Sequence, residues 1–434
     1  MVFVYSSEFT HEKIIPRKTN IRKCDKVIVF MANVITDTKK IEEVLSRGVH
    51  DLFTKEELMK KLTSGKRLTI KLGTDVTGGE LHLGHSVMHR KMRDFQELGH
   101  NAVMIIGDYT VLVGDHSDKV DMRSDRSSKD IEKDLSGFKD QFFMTVIKKG
   151  TKVLRNSKWL KKLSLGDVIN LTKNFTVSQL LDRETFLLRY KSGKPIGLDE
   201  FLYPIMQGYD SVAIKADIEL GATDQTFNIL AGRVLTEHLN KAPQCGITMK
   251  LLLGSDGRPM GKSLGNYIPL KSSPSDMYGK IMSIVDGVIF DYFELVTRVP
   301  MDEINKMKSE VQSGANPMIY KKKLAHEVVS FYHGTKKADE AENDFENTFK
   351  KGDIPKDTKK VKVQIKAPIV DILIKNKVVS SKAEFRRLIE SGAITFKGSL
   401  EEKKIIDPHS LADESGSLKI GKKRFIKIEV IKNK

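Results

Sequence analysis

The sequence predicts an α/β fold, with a doubly wound parallel sheet followed by a helical domain and a small α+β domain. Three stretches carry this reading. Residues 68–98 run from alternating apolar residues (Leu68, Ile70, Leu72) through a glycine-rich turn into a helical repeat that begins near Gly84, which reads as strand, loop and helix. Ala102 to Gly107 is apolar except for its glycine, as a strand buried on both faces of a parallel sheet is. Ala216 to Gly221, followed by Ala222-Thr-Asp-Gln225, repeats the strand, glycine turn and helix plan.

Composition bounds the rest. A chain of 434 residues exceeds one ordinary core and predicts about two to four domains. A net charge of +17 points to a polyanionic partner, most simply nucleic acid, or else to a surface that is basic everywhere. Cys24 and Cys245 stand alone, without a metal-type pair or a disulfide framework, so the chain reads as cytoplasmic. The apolar run Val27–Ile35 is too short to span a bilayer and lacks a cleavage pattern, which predicts no membrane association. Residues 1–42 read as an N-terminal extension, with Met1 or Met31 as the start.

In chain order, residues 41–66 predict two short helices, the second capped by Thr54 through Thr-Lys-Glu-Glu. They open a catalytic domain over 43–284. The turn between Gly73 and Gly79 meets a helix N-terminus, where free amides and the helix dipole favour phosphate. His82 and His85 flank it, with Gly84 between them leaving room for a ligand to approach. Gly107–His116 follows the second strand at its carboxyl end, where ligands bind in open parallel sheets, so Asp115 is a pocket candidate as well as an ordinary loop aspartate. Residues 120–198 read as a helical insertion. Tyr203, Gln207 and Asp210 then share one helix face, either as pocket polars or as the polar edge of a core.

Leu251–Asn266 carries a second phosphate-type signal. A Walker loop needs glycine where Asp256 stands, so what remains is a glycine-bounded loop presenting Lys262 and Ser263. Residues 285–345 predict a helical domain and 346–366 a polar linker. In the last domain, 367–434, Ile369–Lys375 and Lys382–Glu390 read as helices, and Ala393–Lys397 and Arg424–Ile431 as strands. Residues 355–434 hold 20 basic and 10 acidic side chains; Lys382, Arg386 and Arg387, on or near one helix face, are the candidate RNA phosphate contacts.

These pieces together resemble a class I aminoacyl-tRNA synthetase, of the bacterial tyrosyl-tRNA synthetase type. His82-Leu-Gly-His85 looks like the HIGH signature and Met260-Gly-Lys-Ser263 like the tail of the KMSKS loop. Between them, Tyr203-x-x-x-Gln207-x-x-Asp210 and Gly221-Ala-Thr-Asp-Gln225 resemble the family's amino-acid and ribose contacts. The resemblance covers roughly residues 43 to 434. It implies a Rossmann-like catalytic sheet, an anticodon-side helical domain, a small RNA-binding domain and a homodimer held largely by the 120–198 insertion. The implied substrates are L-tyrosine, ATP as Mg-ATP (bringing Mg2+) and tRNA(Tyr).

Residue by residue, the resemblance implies that Thr77 and His82 contact the triphosphate and His85 the nucleotide beside Gly84. Lys262, next to Ser263, meets the leaving pyrophosphate. Asp115, Tyr203 and Gln207 surround the substrate ammonium, Asp210 meets the phenol, and Asp224 holds the ribose with Gln225 nearby. Three departures stand out. Pro259, preceded by Arg258, occupies the place of the loop's first lysine, so the pyrophosphate's charge falls to Lys262 with Arg258 as its helper. Lys71 stands where many members carry a phenol-binding tyrosine, leaving Asp210 as the main phenol partner and predicting that Lys71→Tyr is tolerated. His116 and Asp118 replace a proline and a glycine.

Two other classes share part of the pattern. A nucleotidyltransferase without tRNA needs both phosphate motifs but not the basic C-terminal domain. A non-catalytic RNA-binding relative would follow from Pro259 and Lys71. A zinc site on His82 and His85 requires His89 or His100 to converge with them.

Overall fold

The computed structural model describes residues 33–75, 79–114, 135, 137–351, 358–398, 402–421 and 424–431. Six strands form one sheet: β1 (Val49–Phe53), β2 (Thr69–Thr74), β3 (Asn101–Ile106), β4 (Thr151–Arg155), β5 (Ile218–Ala222) and β6 (Cys245–Met249). Their order is β1-β6-β5-β2-β3-β4. All neighbours are parallel except the edge pair β1 and β6. Chain order reverses between β2 and β5, which opens a crevice at their carboxyl ends.

β1 and β4 carry no alternation that the sequence could reveal. Each is a short edge strand whose residues are only partly covered. The two short helices expected over 41–66 are α1 (Thr38–Ser46) and α2 (Lys55–Thr63), but β1, which includes Leu52, lies between them. Asp37 caps α1 by accepting from the Lys40 amide at 2.9 Å. The predicted Thr54 cap does not form. Thr54 turns the chain from β1 into α2 with φ at 64° and makes no side-chain cap, and its hydroxyl donates to the Phe53 carbonyl instead.

α3 (Leu83–Glu97) lies on the sheet face that carries Ile70, Leu72, Ile218 and Leu220, in one buried cluster with them. The stretch expected as an insertion is more than helices, because β4 extends the sheet from within it. After β4 come α4 (Ser157–Leu160), α5 (Leu165–Thr172), α6 (Val177–Leu181) and α7 (Glu184–Lys191). On the opposite face of the sheet, α8 (Leu202–Ile214) packs against α9 (Thr226–Asn240). A Cβ on Gly208 of α8 would meet the Gly232 Cα of α9 at 3.1 Å, so the close crossing requires glycine there.

Helices α10 (Pro274–Met282), α11 (Ile289–Val296), α12 (Met301–Gln312), α13 (Pro317–His333) and α14 (Thr335–Lys351) follow. Tyr278, Tyr292, Leu324 and Val328 from this group share the buried cluster of the sheet. Arg47, just after α1, ties the two together. Its guanidinium donates to the carbonyls of Phe293, Glu294, Thr297 and Val299, which answers the open acceptors at the end of α11.

The expected linker over 346–366 is shorter than predicted, since α14 runs to Lys351 and β7 (Lys360–Gln364) opens the last sheet. After β8 (Ala367–Pro368) come the two predicted helices, α15 (Ile369–Lys375) and α16 (Lys382–Glu390). The remaining strands are β9 (Ile394–Lys397), β10 (Glu402–Lys404), β11 (Leu411–Ala412), β12 (Gly416–Ile420) and β13 (Arg424–Ile431). The sheet order is β10-β9-β12-β13-β7. Its core joins Ile372, Leu373, Phe385 and Ile389 of the helices to Phe396, Leu418 and Ile426 of the strands. Ser381 caps α16 by accepting from the Glu384 amide at 3.2 Å. Among the described residues, no helix is long and apolar enough to cross a membrane.

Candidate active site

The carboxyl ends of β2, β3 and β5 open onto a cavity of about 280 Å³. Its lining includes Asp75, His85, Thr110, Tyr203, Gln207, Asp210, Asp224 and Gln225, so five separate segments of chain meet there. Thr77 and Asp115 lie outside the described residues. A second concavity of about 630 Å³ lies on the C-terminal sheet, around Lys360, Lys397 and Lys427; it contains none of the nucleotide-type motifs.

Asp210 stands within the sheet end of the cavity and is 3% exposed. Its Oδ1 accepts from Trp159 Nε1 at 2.8 Å and its Oδ2 from Asn156 Nδ2 at 3.3 Å. Burial pushes its carboxyl up to about 7, against the Lys71 charge and the two hydrogen bonds, which pull it down. Tyr203 donates to Asp75 Oδ2 at 3.0 Å and Thr110 to Asp75 Oδ1 at 2.9 Å. A Cβ on Gly107 would fall 1.9 Å from Asp75 Oδ1, so that glycine admits the carboxylate. Gln225 Nε2 donates to Asp224 Oδ2 at 3.3 Å, and Asn228 Nδ2 donates to Gln225 Oε1 at 3.0 Å.

Lys71 is fully buried beneath this cavity. Its Nζ lies 2.9 Å from Glu219 Oε1 and donates to Ser211 Oγ at 2.7 Å and the Gln207 carbonyl at 2.8 Å. The ammonium is therefore committed to the β5 and α8 side. This pairing argues against the expected tolerance of Lys71→Tyr, because removing one member of a buried ion pair costs about 3–5 kcal/mol.

At the N-terminus of α3, the rings of His82 and His85 stand 3.9 Å apart between centroids. The His82 amide donates to His85 Nδ1 at 3.3 Å, which leaves Nε2 of His85 as the protonated nitrogen. His82 Nδ1 is buried and has no protein partner among the described residues. Burial, followed by the His85 and Lys262 charges, lowers His82 to about 3; burial and Lys262 lower His85 to about 4. With both imidazoles neutral at pH 7, the pair can offer hydrogen bonds but carries no charge. His89 packs edge-on against Phe142 with 4.9 Å between centroids, and His100 accepts from the Leu68 amide at 3.3 Å. Neither joins the pair, and among the described residues no group of three or more His, Cys, Asp or Glu is placed to hold a metal ion.

The loop carrying Lys262 and Ser263 folds against this helix end, with the Gly84 amide 3.3 Å from Met260 Sδ. Lys262 and Ser263 are exposed. Asn266 staples the loop: its Oδ1 accepts from the Gly261 amide at 2.9 Å, and its Nδ2 donates to Asp256 Oδ1 at 2.7 Å and to the Pro259 carbonyl at 3.1 Å. Arg258, expected to help Lys262, instead binds Asp256, with Nη2 at 2.6 Å and Nε at 2.8 Å from Oδ2. In the last domain, Lys382, Arg386 and Arg387 are exposed on α16 while Phe385 and Ile389 are buried.

Asp75, Thr110, Asn156, Trp159, Glu219 and Asn266 were not singled out from the sequence. Asp75 had a usable signal, since it follows β2 at a parallel strand's carboxyl end. Asn156 and Trp159 had none; they reach Asp210 because β4 and α4 lie beside β3.

A parallel sheet with its crevice at the reversal point, a neutral histidine pair at the following helix N-terminus and a loop lysine beside that pair define a class I tRNA synthetase. The family described as tRNA synthetases class I (W and Y) matches residues 62–350, and the chain belongs to it. Its relatives fall on the tyrosine side. Tyrosine–tRNA ligase of Carboxydothermus hydrogenoformans is 42% identical over 411 residues, spanning 91% of this chain and 98% of that protein. Tyrosine–tRNA ligase 2 of Vibrio parahaemolyticus is 40% identical over 389 residues, spanning 89% and 97%. The fold is shared with a C-terminally truncated mitochondrial tyrosyl-tRNA synthetase of Aspergillus nidulans, with TM-score 0.61 and 21% identity over 71% of this chain and 94% of that one.

The buried histidines make stability depend on acid. His82, His85, His89 and His100 all sit at about 3 to 4, below their unfolded value of about 6.5. As pH falls from about 6.5 toward 4, the unfolded chain takes up protons that the folded chain refuses, and stability falls. For the fully buried His89 this amounts to at most about 1.4 kcal/mol per pH unit. Melting temperature measured against pH should drop below about 6.5 and flatten in His89→Leu; an unchanged slope in that variant counts against the buried neutral His89.

Proposed function

We propose that this chain acts as a tyrosine–tRNA ligase: it joins L-tyrosine to ATP and then passes the tyrosyl group to tRNA(Tyr). The observation that carries the reading is Asp210, a buried carboxylate within a cavity otherwise suited to an amino acid, beside a phosphate-type helix N-terminus. The identity of 42% over 91% of the chain to a tyrosine–tRNA ligase supports it.

The tyrosine carboxylate oxygen attacks the α-phosphorus of ATP. The new O–P bond forms as the bond to the pyrophosphate oxygen breaks, giving tyrosyl-adenylate. A hydroxyl of the terminal adenosine of tRNA then attacks the tyrosyl carbonyl and AMP leaves. Positioning and charge stabilisation supply the rate. ATP enters as its magnesium complex, and the phosphates hold Mg2+. His82 and His85, held neutral, offer hydrogen bonds to the phosphates and nucleotide without the desolvation cost of buried cations. Thr77 joins them at the triphosphate, and Lys262 and Ser263 meet the departing pyrophosphate. Gly84 leaves space for the nucleotide. Asp224 binds the ribose with Gln225 beside it, and Asp115, Tyr203 and Gln207 enclose the ammonium. Asp75, bonded to Tyr203, extends that acidic lining.

Asp210 decides tyrosine against phenylalanine. Beyond the bonds from Trp159 and Asn156 its oxygens keep lone pairs for the phenol, and a pocket built to hydrogen-bond a substrate hydroxyl rejects the analogue lacking it by roughly 10⁴ to 10⁵. Tyrosine-dependent exchange of labelled pyrophosphate into ATP tests the activity. In Asp210→Ala the ratio of exchange efficiencies for the two amino acids should collapse, and an unchanged ratio would remove the basis for this assignment.

RNA docking resides in the last domain. Lys382, Arg386 and Arg387 contact tRNA phosphates, and reversing Arg386 and Arg387 to Glu should lower aminoacylation by about tenfold or more at physiological salt while leaving pyrophosphate exchange within about twofold. Equal loss of both reactions would place the defect in folding instead.

The active form is a cytoplasmic homodimer. Leu165, Ile169, Val177, Leu188 and Tyr190, on or beside α5 to α7, are exposed apolar residues of the kind that mark an interface. Light scattering at micromolar concentration should read about twice the 49.0 kDa chain mass; a stable monomer refutes the assembly.

A further inference from the structure

Glu219 sits in the middle of β5 at 1% exposure, directly across from Lys71 of β2 in the strand register. Four donors saturate its two oxygens. Oε1 faces Lys71 Nζ at 2.9 Å and Gln207 Nε2 at 3.1 Å; Oε2 accepts from Ser211 Oγ at 3.0 Å and Gln244 Nε2 at 2.6 Å. The pair thus joins two strands, the α8 turn that carries both Gln207 and Asp210, and the approach to β6.

The consequence falls on Gln207. A carboxamide has one donor end and one acceptor end, and a carboxylate only accepts. Glu219 therefore holds the Gln207 nitrogen against the sheet and sets its oxygen the other way. That oxygen accepts from Asn228 Nδ2 at 3.1 Å and keeps one lone pair, and Gln207 lines the cavity. Lys71 fixes the backbone of the same residue by donating to its carbonyl.

We propose that the buried Lys71–Glu219 pair is a positioning pair that locks the Gln207 side chain with its oxygen toward the cavity, as an acceptor for the substrate's α-ammonium. The inference rests on the reading of Gln207 as an ammonium contact. It assigns the pair a role in binding the amino end of tyrosine, separate from phenol recognition at Asp210. With Gln at position 219, the neighbouring group can donate as well as accept. The Gln207 amide is then free to turn its NH2 toward the ammonium, where it repels.

The test compares L-tyrosine with 3-(4-hydroxyphenyl)propanoate, which keeps the phenol and carboxylate but lacks the ammonium. Labelled tyrosine is measured by equilibrium dialysis and the analogue by displacement. Glu219→Gln should weaken tyrosine by about 10- to 100-fold, the scale of one hydrogen bond to a charged group, and leave the analogue and the KM for ATP within about twofold. Equal weakening of both ligands, or no change in either, overturns the proposal. If Glu219→Gln does not fold, the double variant Lys71→Met with Glu219→Leu removes both charges at similar volume, and the same two outcomes apply to it. Gln207→Met separates the two levels. If it spares tyrosine binding, the ammonium reading itself is wrong; if it weakens tyrosine alone while the position-219 variants do not, only the positioning role fails.

Discussion

A salt bridge in the centre of a parallel sheet sets the terms for this catalytic domain. Burying Lys71 and Glu219 is tolerable only if every lone pair and proton of the two groups is answered. The structure answers them with Ser211 and Gln207 from α8 and Gln244 beside β6. Those partners leave α8 little freedom against the sheet. The side chains that α8 presents to the cavity, Tyr203, Gln207 and Asp210, inherit that fixed placement. The Gly208 and Gly232 crossing holds α8 from its other side by close contact with α9.

The same economy of charge runs through the rest of the site. Asp210 is buried without a cation bonded to it and is held by an indole and an amide. Its carboxyl near 7 records how little those neutral donors offset burial. At the helix N-terminus the histidines avoid the problem by staying neutral. The N-terminus of α3 therefore offers hydrogen bonds and helix dipole in the folded core, and Lys262 presents its charge from an exposed loop. The loop that carries it is held by Asn266 and by Arg258 bound to Asp256, so Pro259 occupies a structured turn whose shape does not depend on a lysine there.

The departures from the family pattern acquire physical meaning in this light. Lys71 is paired with its cross-strand neighbour Glu219, and the two buried charges form one unit. Arg258 is bonded to Asp256, where its guanidinium shapes the loop. In both places the charged side chain is engaged with a neighbouring carboxylate that holds local structure.

The sequence by itself determined the parallel strands with both faces buried, the helix after the glycine turn, the two C-terminal helices and the order of the site motifs. These depend on local periodicity and on residue types with few alternative uses, so Ile70 and Leu72, or His82 with His85, are legible one segment at a time. The edge strands β1 and β4 were not legible, because half-covered residues leave no alternation to read. Nor were Trp159 and Asn156 against Asp210, the closing partners of Glu219, or the binding of Arg47 to the end of α11. Each of those contacts joins residues distant along the chain, and whether a buried charge is paired, hydrogen-bonded or shifted toward its neutral form depends on what packing brings within about 3 Å of it. Only the tertiary structure decides that.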